Sequence, residues 1–185
     1  MNAITGEILL IPFGEVVAPL LPNLRKVLAR TFGCRCCVGK ALPLPVTAFN
    51  ARRKQYSAHA ILNYLDHREG RLMLGIVDVD LYVPDLNFVF GLADPSRQRA
   101  VIALPQLRQD FYSLPTDERL FLTRAVKEAV HELGHTSGLW HCTNQSCVMT
   151  FSNSLADTDY KQQAFCARCR ALIRAALDEP RQKEW

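Results

Sequence analysis

The chain of 185 residues lacks the features that mark membrane-spanning, secreted, repetitive or disordered proteins. No stretch approaches the roughly 18 continuous apolar residues that a membrane helix requires, so no membrane partner is expected. The apolar run Ile8–Phe13 is short, follows Glu7, and has neither a basic leader nor a small-residue cleavage site. It predicts a first buried strand rather than a secretory signal. A cytoplasmic protein is the resulting expectation; the sequence does not fix the oligomeric state, for which a monomer is the default expectation. Excess charge is also small: 22 Lys and Arg against 18 Asp and Glu leave +4, spread diffusely, and no nucleic-acid partner is expected. The single dense basic run, Arg52-Arg53-Lys54, reads as a solvated loop. No internal repeat or linker divides the chain, and 49% hydrophobic with 22% charged residues excludes a disordered polymer. Histidine is scarce as well, and its placement is informative: three of five fall in one run, His131, His135 and His141.

That run reads His131-Glu132-Leu133-Gly134-His135-Thr136-Ser137-Gly138-Leu139-Trp140-His141. Residues four apart share one helix face, so His131 and His135 can offer ring nitrogens to one metal ion. Glu132 lies about a hundred degrees round from His131, beside the metal rather than on it, where it can hold a water. Gly138 can end the helix in a left-handed conformation and turn the chain back, which lets His141 supply a third nitrogen. Three neutral protein ligands leave a fourth tetrahedral position open for water, the mark of a catalytic zinc site. Glu132 is then the expected general base, and hydrolysis the expected chemistry. The other two histidines, His59 and His67, read as solvated or packing residues.

Cysteines form a second constellation. Cys142 and Cys147 flank a short loop, and Cys166 and Cys169 form a CxxC pair. Four thiolates in two close pairs suit a closed, structural zinc site that fastens the loop after His141 to the C-terminal helix. Two disulfides are the alternative, disfavoured in a chain with no secretory mark. A redox CxxC leaves Cys142 and Cys147 unexplained. Cys34, Cys36 and Cys37 cluster on a short stretch that reads as a buried strand, and receive no role.

The pattern HExxHxxGxxH, then Cys-x4-Cys, Val148-Met149 and a downstream CxxC resembles the archaemetzincin family, a branch of the metzincin zinc metalloproteases. Asp85–Ala93 resembles that family too, as do the chain's length and element order. The resemblance implies His131, His135 and His141 as catalytic zinc ligands, Glu132 as general base, and Cys142, Cys147, Cys166 and Cys169 as ligands of a second zinc. It implies that Met149, which as a bare residue reads as ordinary core, floors the catalytic site. The implied partner is a peptide or protein substrate. Two rivals are weighed: an endoribonuclease with the same histidine spacing, whose HGxxHLxGxDH pattern lacks the glutamate and the cysteines, and a non-catalytic zinc-binding protein.

Periodicity predicts a strand at 7–13, a helix at 16–31, an extended pass through the cysteine-rich stretch and Pro43–Val46, and a helix at 57–69. Strands follow at 72–79, 89–93 and 99–104, the last two joined by a turn at Asp94-Pro95-Ser96. A long helix capped by Thr116 runs to about 137, and a final helix covers 161–178. Together these predict an α/β fold. With the resemblance they imply a metzincin-like twisted mixed sheet over an active-site helix, with an upper part of about 1–138 and a lower part of about 139–185 flanking a cleft. The edge strand at Val89–Ala93 is expected to border that cleft.

Overall fold

The computed structural model describes residues 6–16, 19–65 and 71–178. It contains a five-stranded sheet in the order β2-β1-β5-β8-β7, built from β1 (Glu7–Phe13), β2 (Arg35–Val38), β5 (Arg71–Val77), β7 (Gly91–Asp94) and β8 (Arg99–Ala103). A small second sheet joins β3 (Phe49–Asn50), β4 (Gln55–Ser57) and β6 (Leu81–Tyr82). Four strands of the main sheet are mutually parallel, and β7 closes one edge by running antiparallel to β8. Strands β5 and β8, both interior to the sheet, are buried on both faces, which is why RLMLGIV and RAVIA read as nearly continuous apolar runs rather than alternations.

Alternation decides which helix each strand residue meets. Ile8, Leu10, Leu74, Ile76 and Ile102 face a core shared with α1 (Leu20–Phe32) and α3 (Glu118–Thr136), whereas Ile11, Phe13, Met73, Val77 and Val101 face α2 (Ala58–Asn63). Helix α1 buries Leu20, Leu24, Leu28 and Phe32 at four-residue spacing and ends at Gly33 in the left-handed conformation. Helix α3 therefore lies against the sheet on the side that also carries α1.

Several boundaries differ from expectation for identifiable reasons. Helix α1 starts at Leu20 rather than 16, with Pro19 at its cap and Pro22 in the first turn, where a missing N–H costs nothing. Asp117, not Thr116, caps α3: its carboxylate accepts from the Leu120 amide at 2.8 Å and also meets the positive end of the helix dipole. The expected 57–69 helix is the shorter α2, capped by Ser57, and the segment 66–70 containing His67 lies outside the described residues, while His59 is exposed. Cys36 is buried in β2 with Cys34 and Cys37 half-buried, but Pro43–Val46 forms no strand. Val89 bridges to Leu81 of the small sheet, so β7 begins only at Gly91.

The C-terminal region departs most. A separate α4 (Leu155–Tyr160) precedes α5 (Ala167–Asp178), and the intervening segment is not helical. Ser154 and Asp157 close a capping box that starts α4, and Lys161 leaves it in extended conformation. Gln162 then donates to Ser146 O and Ala164 O accepts from Val148, so this backbone pairs with the loop after α3 instead of coiling.

Candidate metal centre and active-site cleft

Helix α3 is buried along its last three turns, which places His131 and His135 inside the protein on one face. Their rings are held from behind. His131 Nδ1 donates to Val148 O at 2.8 Å and His135 Nδ1 to Leu139 O at 2.7 Å, which fixes both tautomers with the proton on Nδ1. Both Nε2 atoms are therefore bare lone pairs, yet they stand 3.1 Å apart. Two acceptors at that distance repel unless a cation lies between them, and two nitrogens on a tetrahedral zinc are about 3.3 Å apart. Burial lowers the pKa of His131, His135 and His141, keeping all three in the neutral form that can ligate.

Gly138 makes the reversal, with φ of 89° and no side chain to obstruct it. Leu139 N then donates to Gly134 O at 3.1 Å and Cys142 N to Met149 O at 3.0 Å, so the backbone on both sides of His141 is pinned. The ligand nitrogens of His131, His135 and His141 all lie within 4.8 Å of one another. The donor set and its spacing fit one zinc ion with an open position.

Glu132 points into the same cleft but is packed against the edge strand. A Cβ built on Gly91, the first residue of β7, would stand 2.6 Å from Glu132 Cγ and 2.7 Å from its Oε1. Glycine at 91 is thus a condition for this carboxylate's position. Burial and the neighbouring Glu128 push its pKa up to about 8, opposed by Lys161. Met149 is fully buried and packs on Gly134, the fourth residue of the HExxH run, where a Cβ would overlap its sulfur.

The second constellation also assembles. The sulfurs of Cys142, Cys147, Cys166 and Cys169 lie within 4.8 Å of one another, with none in a disulfide. Cys142 and Cys166 are 3.9 Å apart, close to the roughly 3.8 Å that two sulfurs on a tetrahedral zinc require. The Cys169 backbone N–H is the chief cause that draws Cys166 down to about 7, while burial raises Cys147 and Cys169. Four thiols so close cannot all ionise without a cation among them. The cluster ties the loop after His141 to α5. Cys34, Cys36 and Cys37 belong to neither metal-binding group among the described residues.

A cleft of about 640 Å³ opens over the histidines. The loop entering β7 and β7 itself form one wall, and residues 138–141 and 151–153 form the other. Arg53, from the run expected to be a solvated loop, braces the first wall: its guanidinium donates to Leu86 O at 2.7 Å and Asn87 O at 3.0 Å and stacks over Tyr82.

Comparison with known proteins gives one answer. The model of peptidase family M54 matches residues 45–175. An archaemetzincin from Methanocaldococcus jannaschii is 42% identical, with the match covering 85% of this chain and 87% of that protein. The chain belongs to peptidase family M54, the archaemetzincins. The crystal structure of the Methanopyrus kandleri archaemetzincin, 35% identical, superposes with a TM-score of 0.84 over 97% of this chain and 99% of that one. That of the Archaeoglobus fulgidus archaemetzincin, complexed with malonate and 36% identical, gives 0.80 over 90% and 99%. As an archaemetzincin the chain is a zinc metallopeptidase, a hydrolase acting on peptide or protein substrates, and not the endoribonuclease its histidine spacing also resembles. No described helix is long and apolar enough to cross a membrane.

One part of the cleft was only half legible in the sequence. Lys161 and Glu128 form an ion pair at 3.0 Å with both side chains buried, and Glu128 lines the cleft one turn before Glu132. Arg124 adds two bonds to the Asp159 carboxylate and Lys127 caps the carbonyls of Thr158 and Asp159. The i−4 spacing of Glu128 from Glu132 was available. Its partner, 33 residues away on an irregular segment, was not.

Proposed function

We propose that His131, His135 and His141 hold the catalytic zinc, that Glu132 is the general base of peptide-bond hydrolysis, and that Cys142, Cys147, Cys166 and Cys169 hold a second, structural zinc. The observation that carries this reading is the pair of Nε2 lone pairs aimed at one point 3.1 Å apart, with both rings locked through Nδ1. Zinc bound at such a site supplies a Lewis acid that lowers the pKa of water and polarises the scissile carbonyl. The chain itself contributes the proton traffic and the alignment. Glu132 accepts the proton of the attacking water and returns it to the leaving amine. Its raised pKa suits a group that must hold that proton between the two steps, and a dication beside it favours the carboxylate that begins the cycle. Met149 floors the site beneath the histidines.

The outer edge of β7 has no strand partner among the described residues. An extended substrate adding to that edge by main-chain hydrogen bonds lies along the cleft between an upper part, about 1–138, and a lower part, about 139–185. Mutations along Phe88–Leu92 should therefore weaken peptide affinity.

The test is Glu132→Gln. Elemental analysis should still find two zinc ions per chain, while hydrolysis of a peptide library falls at least a hundredfold. Wild-type turnover by this variant would refute the assignment. Cys166→Ser should lose one zinc and keep the other, and two native disulfides would end the structural-zinc reading.

A further inference from the structure

Three large apolar side chains that stand out to solvent converge on the cleft mouth: Trp140 at 88% exposure, Phe151 at 51% and Leu86 at 49%. Scattered exposed hydrophobics are ordinary, but three on one concavity form a recognition surface. Trp140 stands directly before the third histidine, on backbone fixed at both sides. Leu139 O accepts from His135 Nδ1, Leu139 N donates to Gly134 O, and Cys142 N donates to Met149 O. The indole is thus carried by a rigid support and pays little ordering entropy when a ligand covers it. Phe151 packs against the His141 ring with centroids 4.9 Å apart, extending the apolar surface to the metal ligand itself. Among the described residues, the acidic side chains on the cleft walls are Glu128 and Glu132; Glu128 is neutralised by Lys161, and no described lysine or arginine lines the space. Beyond Glu132, which serves the reaction, a charged substrate side chain finds no opposite charge on the described walls to pair with, whereas an aromatic or large aliphatic one covers apolar surface now exposed to water at a cost.

We propose that Trp140, with Phe151, is the side-chain platform of this peptidase and selects substrates carrying an aromatic or large aliphatic residue beside the scissile bond. This rests on the reading of His131, His135 and His141 as the catalytic centre, which places the platform next to the bond that is cut. Trp140 acts on substrate binding, so its loss raises KM more than it lowers kcat.

The experiment uses zinc-loaded full-length chain carrying Trp185→Phe, which leaves Trp140 as the single tryptophan. In that background Glu132→Gln is titrated with matched peptides that differ only in one residue, Phe or Leu against Lys or Asp. Trp140 emission should shift to shorter wavelength and saturate with the Phe and Leu peptides and not with the charged pair. With Glu132 intact, Trp140→Ala should raise KM for the Phe peptide about tenfold and erase the preference, and Trp140→Phe should restore most of it. Equal zinc content in both variants separates the effect from damage to the metal centre. Hydrolysis that keeps its KM and preference in Trp140→Ala overturns the platform and leaves the peptidase reading standing. A saturating emission shift without hydrolysis of any library member does the reverse, and an emission that ignores every peptide overturns the platform.

Discussion

Replacing Gly91 by alanine should disable the enzyme without touching a metal ligand. A Cβ at that position stands 2.6, 2.7 and 2.8 Å from Cγ, Oε1 and Cδ of Glu132, where carbon atoms in contact normally keep about 3.5–4.0 Å. The backbone of Gly91 has an ordinary φ, so alanine itself is not strained and the overlap is the whole perturbation. Relief requires the carboxylate or β7 to move by about 1 Å, and a misplacement of that size costs roughly a hundredfold in rate, or about 2.7 kcal/mol of barrier. The assay is kcat on a cleavable peptide with zinc content measured on the same sample. Zinc should remain at the wild-type level. Because the effect runs through one carboxylate, adding Gly91→Ala to Glu132→Gln should cost nothing further. Gly39→Ala is the control: its nearest neighbour is Leu9 Cδ1 at 3.4 Å, an ordinary contact next to the far strand β2, and activity should stay within threefold, or about 0.7 kcal/mol. A folded Gly91→Ala protein with near wild-type kcat would refute the argument that this glycine positions the base.

Lys161→Met strands the Glu128 carboxylate in the interior and should destabilise the zinc-loaded protein by about 3–5 kcal/mol in urea denaturation; adding Glu128→Gln should recover part of the loss, and strict additivity would argue against the pair. Gly134→Ala forces Met149 aside and should cost about 1–3 kcal/mol by the same measurement, with no loss expected if Met149 were free to repack. The pH dependence follows from the three depressed imidazole pKa values. A histidine whose folded pKa lies below 6.5 contributes fully above 6.5 and loses its contribution as pH falls through the folded value. Zinc should therefore stay bound at 6.5 and be released only in more acid solution, as followed with a colorimetric chelator; half-release at or above 6.5 would contradict the burial argument.

What could be read beforehand was what is local. The histidine spacing on α3, the reversal at Gly138 and the two cysteine pairs depend on helix pitch and a few turn residues, and their convergence was legible from adjacent positions. The α/β architecture was legible for the same reason, since buried parallel strands announce themselves as apolar runs. The small sheet of β3, β4 and β6 was not, because strands of two or three residues carry too little periodicity to stand above a loop. The break between α4 and α5 was hidden because its cause is distant: residues 162–164 pair with residues 146–148 across the metal loop. The same limit applies inside the motif. HExxH describes ligands and base and treats the remaining positions as free, yet Gly134 is fixed by Met149 and Glu132 is admitted only by Gly91. Both constraints join residues far apart in the chain, and both concern a missing side chain, which no pattern of donors or charges reveals. The catalytic geometry we propose for this archaemetzincin therefore depends on two absent methyl groups as much as on its three imidazoles, and a search confined to chemistry-bearing residues would pass over them.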